Sequence, residues 1–230
     1  MKVAVIITTK NEADTIANLI SQIEHDVIVV DENSSDRTAQ IAQEAGAFIS
    51  LPMPEGFGIG PCLMAGWYLA MDYDYTRIVQ IDAGGSHDPG EIDRLLMPNV
   101  DVVIGSRFML HNSYHGRPLR AFMSRAFGKL CNVITGAHFR DWTSGYRAFS
   151  RHAIDTLAQY DYHATMHGWQ AEVLSVAHHA GLSILEVPIT YRAGRSSFNR
   201  RIALEAMHTL WHIAAHKGAI NANRIGIDLP

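Results

Sequence analysis

The chain has 230 residues, 47% hydrophobic and 18% charged, with a formal net charge of −4. That is enough apolar side chain to bury one full core, which sets the chain apart from disordered polypeptides. The mildly acidic balance argues against a dedicated nucleic-acid binder, no apolar run is long enough to span a bilayer, and two cysteines, Cys62 and Cys131, make no disulfide framework.

Met1-Lys2 leads straight into Val3-Ala4-Val5-Ile6-Ile7, without the charged-then-apolar pattern of a leader, so the expected location is the cytoplasm or the periphery of a membrane. Val3 to Thr8 reads as a strand covered on both faces. Asn11 is expected to cap a helix with Ile16, Leu19, Ile20 and Ile23 on one face. Val27 to Asp31 is a second strand, ending in carboxylates at Asp31 and Glu32. A helix from Ser34-Ser35-Asp36 closes at Gly46, and Ala47 to Leu51 gives a third strand. Gly56 to Gly60 is a loop leading into a helix through Met71.

Ile78-Val79-Gln80-Ile81-Asp82-Ala83-Gly84-Gly85-Ser86-His87-Asp88-Pro89 carries most of the chemistry. A short β-branched run ending in an aspartate, two glycines and small polar residues is a buried strand opening into a ligand loop. In open α/β sheets, ligands gather at such carboxyl ends. A carboxylate there suits a hard divalent cation such as Mg or Mn, whereas a plain turn would use Asp88 as cap and Pro89 as the first helical residue. A helix around Glu91 to Leu96 and a strand at Val102 to Gly105 follow. The βαβα order predicts an α/β domain with a mainly parallel mixed sheet and helices on both faces.

Beyond this, Arg117 to Thr135 has a helical pattern, Tyr146 to Phe149 is a short strand, and a short helix starts at Ser150. Gly168 to Ala180 is a helix ended by Gly181, and Ser183 to Tyr191, with Pro188, is an edge or bulged strand. Arg200 to His216 is an amphipathic helix, followed by a loose polar tail.

The constellation resembles family 2 glycosyltransferases of the GT-A (Rossmann-like) fold, near the dolichol-phosphate mannose synthase branch. Val5 to Glu12 resembles the family's opening strand and Asn-Glu turn, and Asp31 to Thr38 its nucleoside-gripping loop. Gly58 to Gly66 resembles the glycine-bearing segment, and Gly105-Ser106-Arg107-Phe108 and Asp141 to Ala148 are close fits. Glu186-Val187-Pro188-Ile189 with Gly194 to Asn199 resembles the closing strand and its basic loop. The resemblance implies a single domain over 1–199, with a nucleotide-sugar half at 1–110 and an acceptor half at 111–199, and a helix and tail at 200–230.

The implied activity is inverting transfer of a sugar from a nucleotide-diphosphate sugar, most naturally to a polyprenyl phosphate. Glu12, Asp31 and Asp36 would contact base and ribose, with Thr8, Asn11 and Gly58 beside them. Asp82 would approach the metal and diphosphate, and Asp88 or His87 would supply a further metal ligand. Arg107, Arg120, Ser124, Arg147 and Arg195 are the candidates for phosphate contacts, with Arg200 and Arg201 nearby, because a guanidinium binds phosphate in two places. Asp141 and Glu172 are the candidate bases should the acceptor be a hydroxyl, which needs one. Such acceptors include a saccharide, a protein or a hydroxylated base in DNA, for which Arg117–Arg125 and Arg192–Arg201 offer basic runs. A homo-oligomer stays open.

Several positions depart from the family pattern. Asp-x-Asp is here Asp82-Ala83-Gly84, Thr8 and Lys10 replace a proline and a tyrosine beside the base, Glu32 and Asn33 replace an aspartate and a glycine, and Ser197 replaces a lysine. The absent second aspartate keeps a catalytically dead nucleotide-binding module in play. A nucleotidyltransferase is disfavoured because Thr8 to Glu12 lacks glycine. His208, His212 and His216 share one helix face, read as a solvated edge in preference to a metal site.

Overall fold

Alternation along β1 (Val3–Thr9) sends Ala4 and Ile6 to one face of the sheet and Val5 and Ile7 to the other, and all four are fully buried. Both faces are therefore covered, as the near-continuous apolar run requires. The computed structural model describes residues 1–110, 113–193 and 200–215.

The chain continues through α1 (Ile16–Ile20), β2 (Asp26–Asp31), α2 (Thr38–Glu44), β3 (Ile49–Pro52), α3 (Ile59–Met71) and β4 (Arg77–Asp82). A 3-10 turn at Pro89–Glu91 leads to α4 (Ile92–Leu95), β5 (Val102–Ser106), β6 (Tyr114–His115) and α5 (Pro118–Thr135). Then come β7 (Arg147–Ser150), α6 (Arg151–Leu157), α7 (Trp169–His179), β8 (Ile184–Pro188), β9 (Tyr191–Arg192) and α8 (Arg200–Ala215). Seven strands form one sheet in the order β3-β2-β1-β4-β7-β5-β8, with β6 and β9 as a separate parallel pair.

All pairings in the large sheet are parallel except those of β7, which runs antiparallel between β4 and β5. The expected mainly parallel mixed sheet is what the chain forms. Pro188 closes β8 at the sheet edge, where its missing N–H costs nothing.

One core layer packs Ile6, Ile28, Ile78, Ile104 and Phe149 against α3, α6 and α7; the other packs Val5, Val29, Val79, Val103 and Ala148 against α1, α2 and α4. Cys62 and Cys131 are free and buried, and burial pushes each thiol up to about 12, so both are packing residues.

Two local expectations change. Asn11 does not cap α1, whose first residue is Ile16; it takes a positive φ of 57° and its side-chain oxygen accepts from the Ser35 N–H at 2.8 Å. Asn11 thus ties the end of β1 to the loop after β2, a polar staple that periodicity does not reveal. The helix expected from Ser34 begins at Thr38, because Asp36 turns the chain first by accepting from the Thr38 N–H.

Helix α3 lies so close to β1 that a Cβ on Gly66 would stand 2.7 Å from Cγ2 of Ile6. Gly66→Ala should therefore destabilise the fold by about 1–3 kcal/mol through overpacking, read from the urea midpoint.

Candidate active site

Register places the acidic strand ends side by side. Thr9 pairs with Asp31 across β1–β2, and Thr8 pairs with Asp82 across β1–β4. This is the carboxyl edge where parallel sheets collect ligands. Asp31 is spent on its own loop, accepting from the Ser34 hydroxyl and, at 3.2 Å, the Ser34 N–H. Asp36 accepts from Thr38 and from the Ala13 N–H at 3.3 Å, and the Thr38 hydrogen bonds hold its carboxyl below the usual range. Glu32 accepts from the Gly58 N–H at 3.1 Å, with the Lys10 ammonium 3.7 Å away. Gly58 has φ of 83°, and a Cβ there would lie 2.5 Å from the Thr165 carbonyl oxygen, so only glycine lets this loop meet the 163–168 segment.

Asp82 stands half-exposed at the tip of β4. His87 Nε2 is 3.6 Å from its carboxylate, and the His87 ring is buried between Tyr146 and Tyr191, at centroid distances of 5.0 and 5.3 Å. Burial opposes ionisation of Asp82, but His87, with help from His167 and Arg107, holds its carboxyl below the ordinary range. Asp82 is thus a standing anion, and its hard oxygens suit Mg or Mn. Asp88 takes the plainer of its two expected roles: it accepts from the Gly90 N–H at 2.9 Å and caps the 3-10 turn. Among the described residues no three His, Cys, Asp or Glu side chains converge on one metal position.

The region between β5 and β7 is organised by a buried ion pair. Arg107 donates Nε–H to Asp141 Oδ2 and Nη2–H to Oδ1, both at 2.7 Å, and its main-chain N–H reaches the same carboxylate at 2.9 Å. Nη2 also contacts Thr143 Oγ1 at 2.6 Å and Ser124 Oγ at 3.4 Å. Burial resists both charges, yet each partner's charge prevails, holding Asp141 below the carboxylate range and raising Arg107. Asp141 has no exposed surface and accepts also from the Thr143 N–H, so it is the counter-ion of Arg107 where a free base was expected.

Arg147 and Glu172 likewise differ from expectation. Arg147 is fully buried and donates to the main-chain carbonyls of Gln170 at 2.7 Å and Trp142 at 2.9 Å, so it reaches no surface phosphate. Burial pushes it down to about 9. Glu172 spends its carboxylate on the main-chain N–H groups of His163 and Ala164, at 2.8–3.1 Å, and so anchors a loop. Its charge is therefore not offered to an acceptor. Arg195 and His216 lie outside the described residues.

Arg107, Arg120, Thr143 and His167 share a cavity of about 420 Å³ with Phe122, Met123, Phe127, Leu130, Met207 and Leu210. It runs along α5 from Arg120 to Leu130, about 15 Å of helix, with α8 opposite. Leu119, Phe122, Leu130 and Val133 on α5, and Leu204, Met207 and Trp211 on α8, are exposed. His167 escaped the sequence reading because it belongs to no motif. Burial lowers its imidazole against the pull of Asp82. The α5 stripe at Leu119, Phe122, Met123, Phe127 and Leu130 was legible as helical spacing, but spacing does not say which side meets solvent. His212 is buried with its ring 4.0 Å from that of His163, not on a solvated edge, and its Nε2 lies 3.2 Å from that of exposed His208.

Residues 4–158 match the family model described as Glycosyl transferase family 2, and the chain belongs to that family. It is a glycosyltransferase by that membership, of the GT-A fold. It is 31% identical to the undecaprenyl-phosphate mannosyltransferase of Micrococcus luteus, the alignment covering 99% of this chain and 100% of the relative. It is 28% identical to the polyprenol monophosphomannose synthase of Mycolicibacterium smegmatis, over 81% of this chain and 76% of that one. A crystal structure of glucosyl-3-phosphoglycerate synthase from Mycobacterium tuberculosis with Mn2+, UDP and phosphoglyceric acid shares the fold, with a TM-score of 0.72 at 17% identity, covering 96% of this chain and 80% of that one.

Asp141→Ala leaves a buried guanidinium without its counter-charge and should cost about 3–5 kcal/mol in urea unfolding. Because the folded Asp141 carboxyl is depressed, its contribution is whole above the unfolded value of about 3.9 and is lost as pH falls through the folded one. The gap between wild type and variant should therefore hold from neutral pH to about pH 4 and narrow only below it.

Proposed function

We propose that this glycosyltransferase moves a sugar from a nucleotide-diphosphate sugar to a polyprenyl phosphate, with inversion at the anomeric carbon, while resting on a membrane surface. The cavity along α5 carries the reading: two arginines, one of them Arg120 outside the Arg107–Asp141 pair, and the Thr143 hydroxyl share it with a long apolar lining, the two chemistries of a lipid phosphate. The names of the two relatives, which refer to undecaprenyl phosphate and polyprenol monophosphate, support the same acceptor class.

In this reading Thr8, Asn11, Glu12, Asp31, Asp36 and Gly58 shape the nucleoside cleft at the ends of β1 and β2. Asp82 faces the diphosphate. A divalent cation, when bound by Asp82, supplies counter-charge to the departing nucleoside diphosphate, and Mn2+ in the solved relative supports its use. Arg120 receives the acceptor phosphate and aims its oxygen at the anomeric carbon, with Thr143 in the same cavity. A phosphate oxygen is already an anionic nucleophile, so no residue need remove a proton. The engagement of Asp141 and Glu172 disfavours the hydroxyl-acceptor alternative, since each was a candidate base for it. No helix among the described residues is long and apolar enough to cross a membrane. The exposed apolar residues of α5 and α8 are the surface we assign to the bilayer.

The test is transfer of labelled sugar from a panel of nucleotide sugars to a polyprenyl phosphate in vesicles. A lipid-extractable product is expected, and transfer to soluble sugars with none to lipid phosphate would refute the proposal. Arg120→Ala should raise KM for the lipid phosphate roughly tenfold or more while leaving donor KM nearly unchanged. Phe122→Asp with Met207→Asp should abolish co-sedimentation with vesicles.

A further inference from the structure

The cation site has one carboxylate at the tip of β4 where its family pattern has two, because the chain reads Asp82-Ala83-Gly84. Gly84 offers no side chain. The volume its side chain would enter is met by one neighbouring heavy atom within 4 Å: Oε1 of Glu12 lies 3.5 Å from where the Cβ would stand. Glu12 comes from a different element, the turn after β1. Its main chain is fixed there, with its N–H donating to Thr38 Oγ1 at 2.9 Å and its carbonyl accepting from the N–H groups of Thr15 and Ile16 at 3.0 Å.

The two oxygens of this carboxylate are not equivalent. Oε2 accepts from the Thr15 hydroxyl at 3.1 Å, which orients the group and leaves Oε1 toward Gly84. We infer that Glu12 supplies the second carboxylate of the cation site, acting through Oε1 in the space that Gly84 leaves. This rests on the donor-site reading given above and changes the part assigned to Glu12, from contacting the nucleoside to holding the cation that neutralises the diphosphate. Hard cations of this size are held by one or two carboxylates with substrate phosphates and water completing the shell. Asp82 and Glu12 would make up that pair of carboxylates.

The full-length chain titrated with Mn2+ and followed by electron paramagnetic resonance, in the presence of UDP or of GDP, tests this directly. Glu12→Gln retains an oxygen to accept from Thr15 but removes the charge. It should weaken Mn2+ about ten- to a hundredfold, in the range seen when a metal site loses a supporting group. Nucleotide affinity in EDTA should fall far less than the affinity measured with Mn2+ present. Adding Gly84→Asp to Glu12→Gln should restore Mn2+ binding by returning the carboxylate from the other side of the gap. Unchanged Mn2+ affinity in Glu12→Gln, with loss in Asp82→Asn, would overturn the inference. Equal loss of nucleotide affinity with and without metal would also overturn it, returning Glu12 to the nucleoside. A wild-type chain that binds nucleotide but no Mn2+ overturns the inference alone. One that binds neither nucleotide nor Mn2+, and transfers no sugar, overturns the donor-site reading with it.

Discussion

The buried pair between Arg107 and Asp141 is the constraint on which the cleft beside β5 and β7 depends. It joins the end of β5 to the loop before β7, and both charges are out of water. A pair in that setting survives only when the remaining donors and acceptors are also satisfied. Here the Arg107 N–H and Thr143 N–H complete Asp141, while the Thr143 and Ser124 hydroxyls accept from Arg107 Nη2. The loop fixed this way passes over the tip of β4, where a Cβ on Gly145 would come within 3.0 Å of Asp82 Oδ1. One ion pair therefore sets the distance between the anionic donor end of the cleft and its cationic acceptor end.

That explains why charged residues in good motifs are turned inward. Arg147 sits between β4 and β5 and ties the segment after Trp142 to α7 through two carbonyls. Glu172 ties the start of α7 to the 163–168 loop, which in turn meets Gly58 just before α3. These residues hold the walls of the cleft in register, and a cleft that moves a group between two bound substrates needs walls held to fractions of an ångström.

The sheet was legible in the sequence because its signal is local. Apolar runs ending in Asp31 and Asp82 declare both strand and edge, and parallel register then brings those ends together without further information. The family motifs located the cleft. What the sequence hid is direction: a motif places Arg107, Asp141 and Arg147 near one another but does not say that the first two saturate each other and the third is sealed in the core. Asn11 was misread for a related reason, since capping residues and loop staples use the same side chains. His167 and the open face of α5 were invisible because their significance comes from packing of α5 against α7 and α8, a long-range fact.

The charges left over once these structural pairs are removed fall into two groups. At the donor end stands Asp82, anionic; at the acceptor end stands Arg120, with the Thr143 hydroxyl in the same cavity. His167 lies between them, its imidazole lowered by burial and by both Arg120 and Arg107 against the pull of Asp82. A free carboxylate in the acceptor half would repel an incoming phosphate, whereas a hydroxyl acceptor would require one. Burying Asp141 under Arg107 and spending Glu172 on main-chain N–H groups removes the carboxylates that would otherwise face the acceptor. The same economy acts in reverse at the donor end, where the diphosphate is itself anionic and carboxylates are tolerable only with a cation among them. The selection of which acids are neutralised, more than their presence in the sequence, is what separates a phosphate-accepting glycosyltransferase from one that must deprotonate its acceptor.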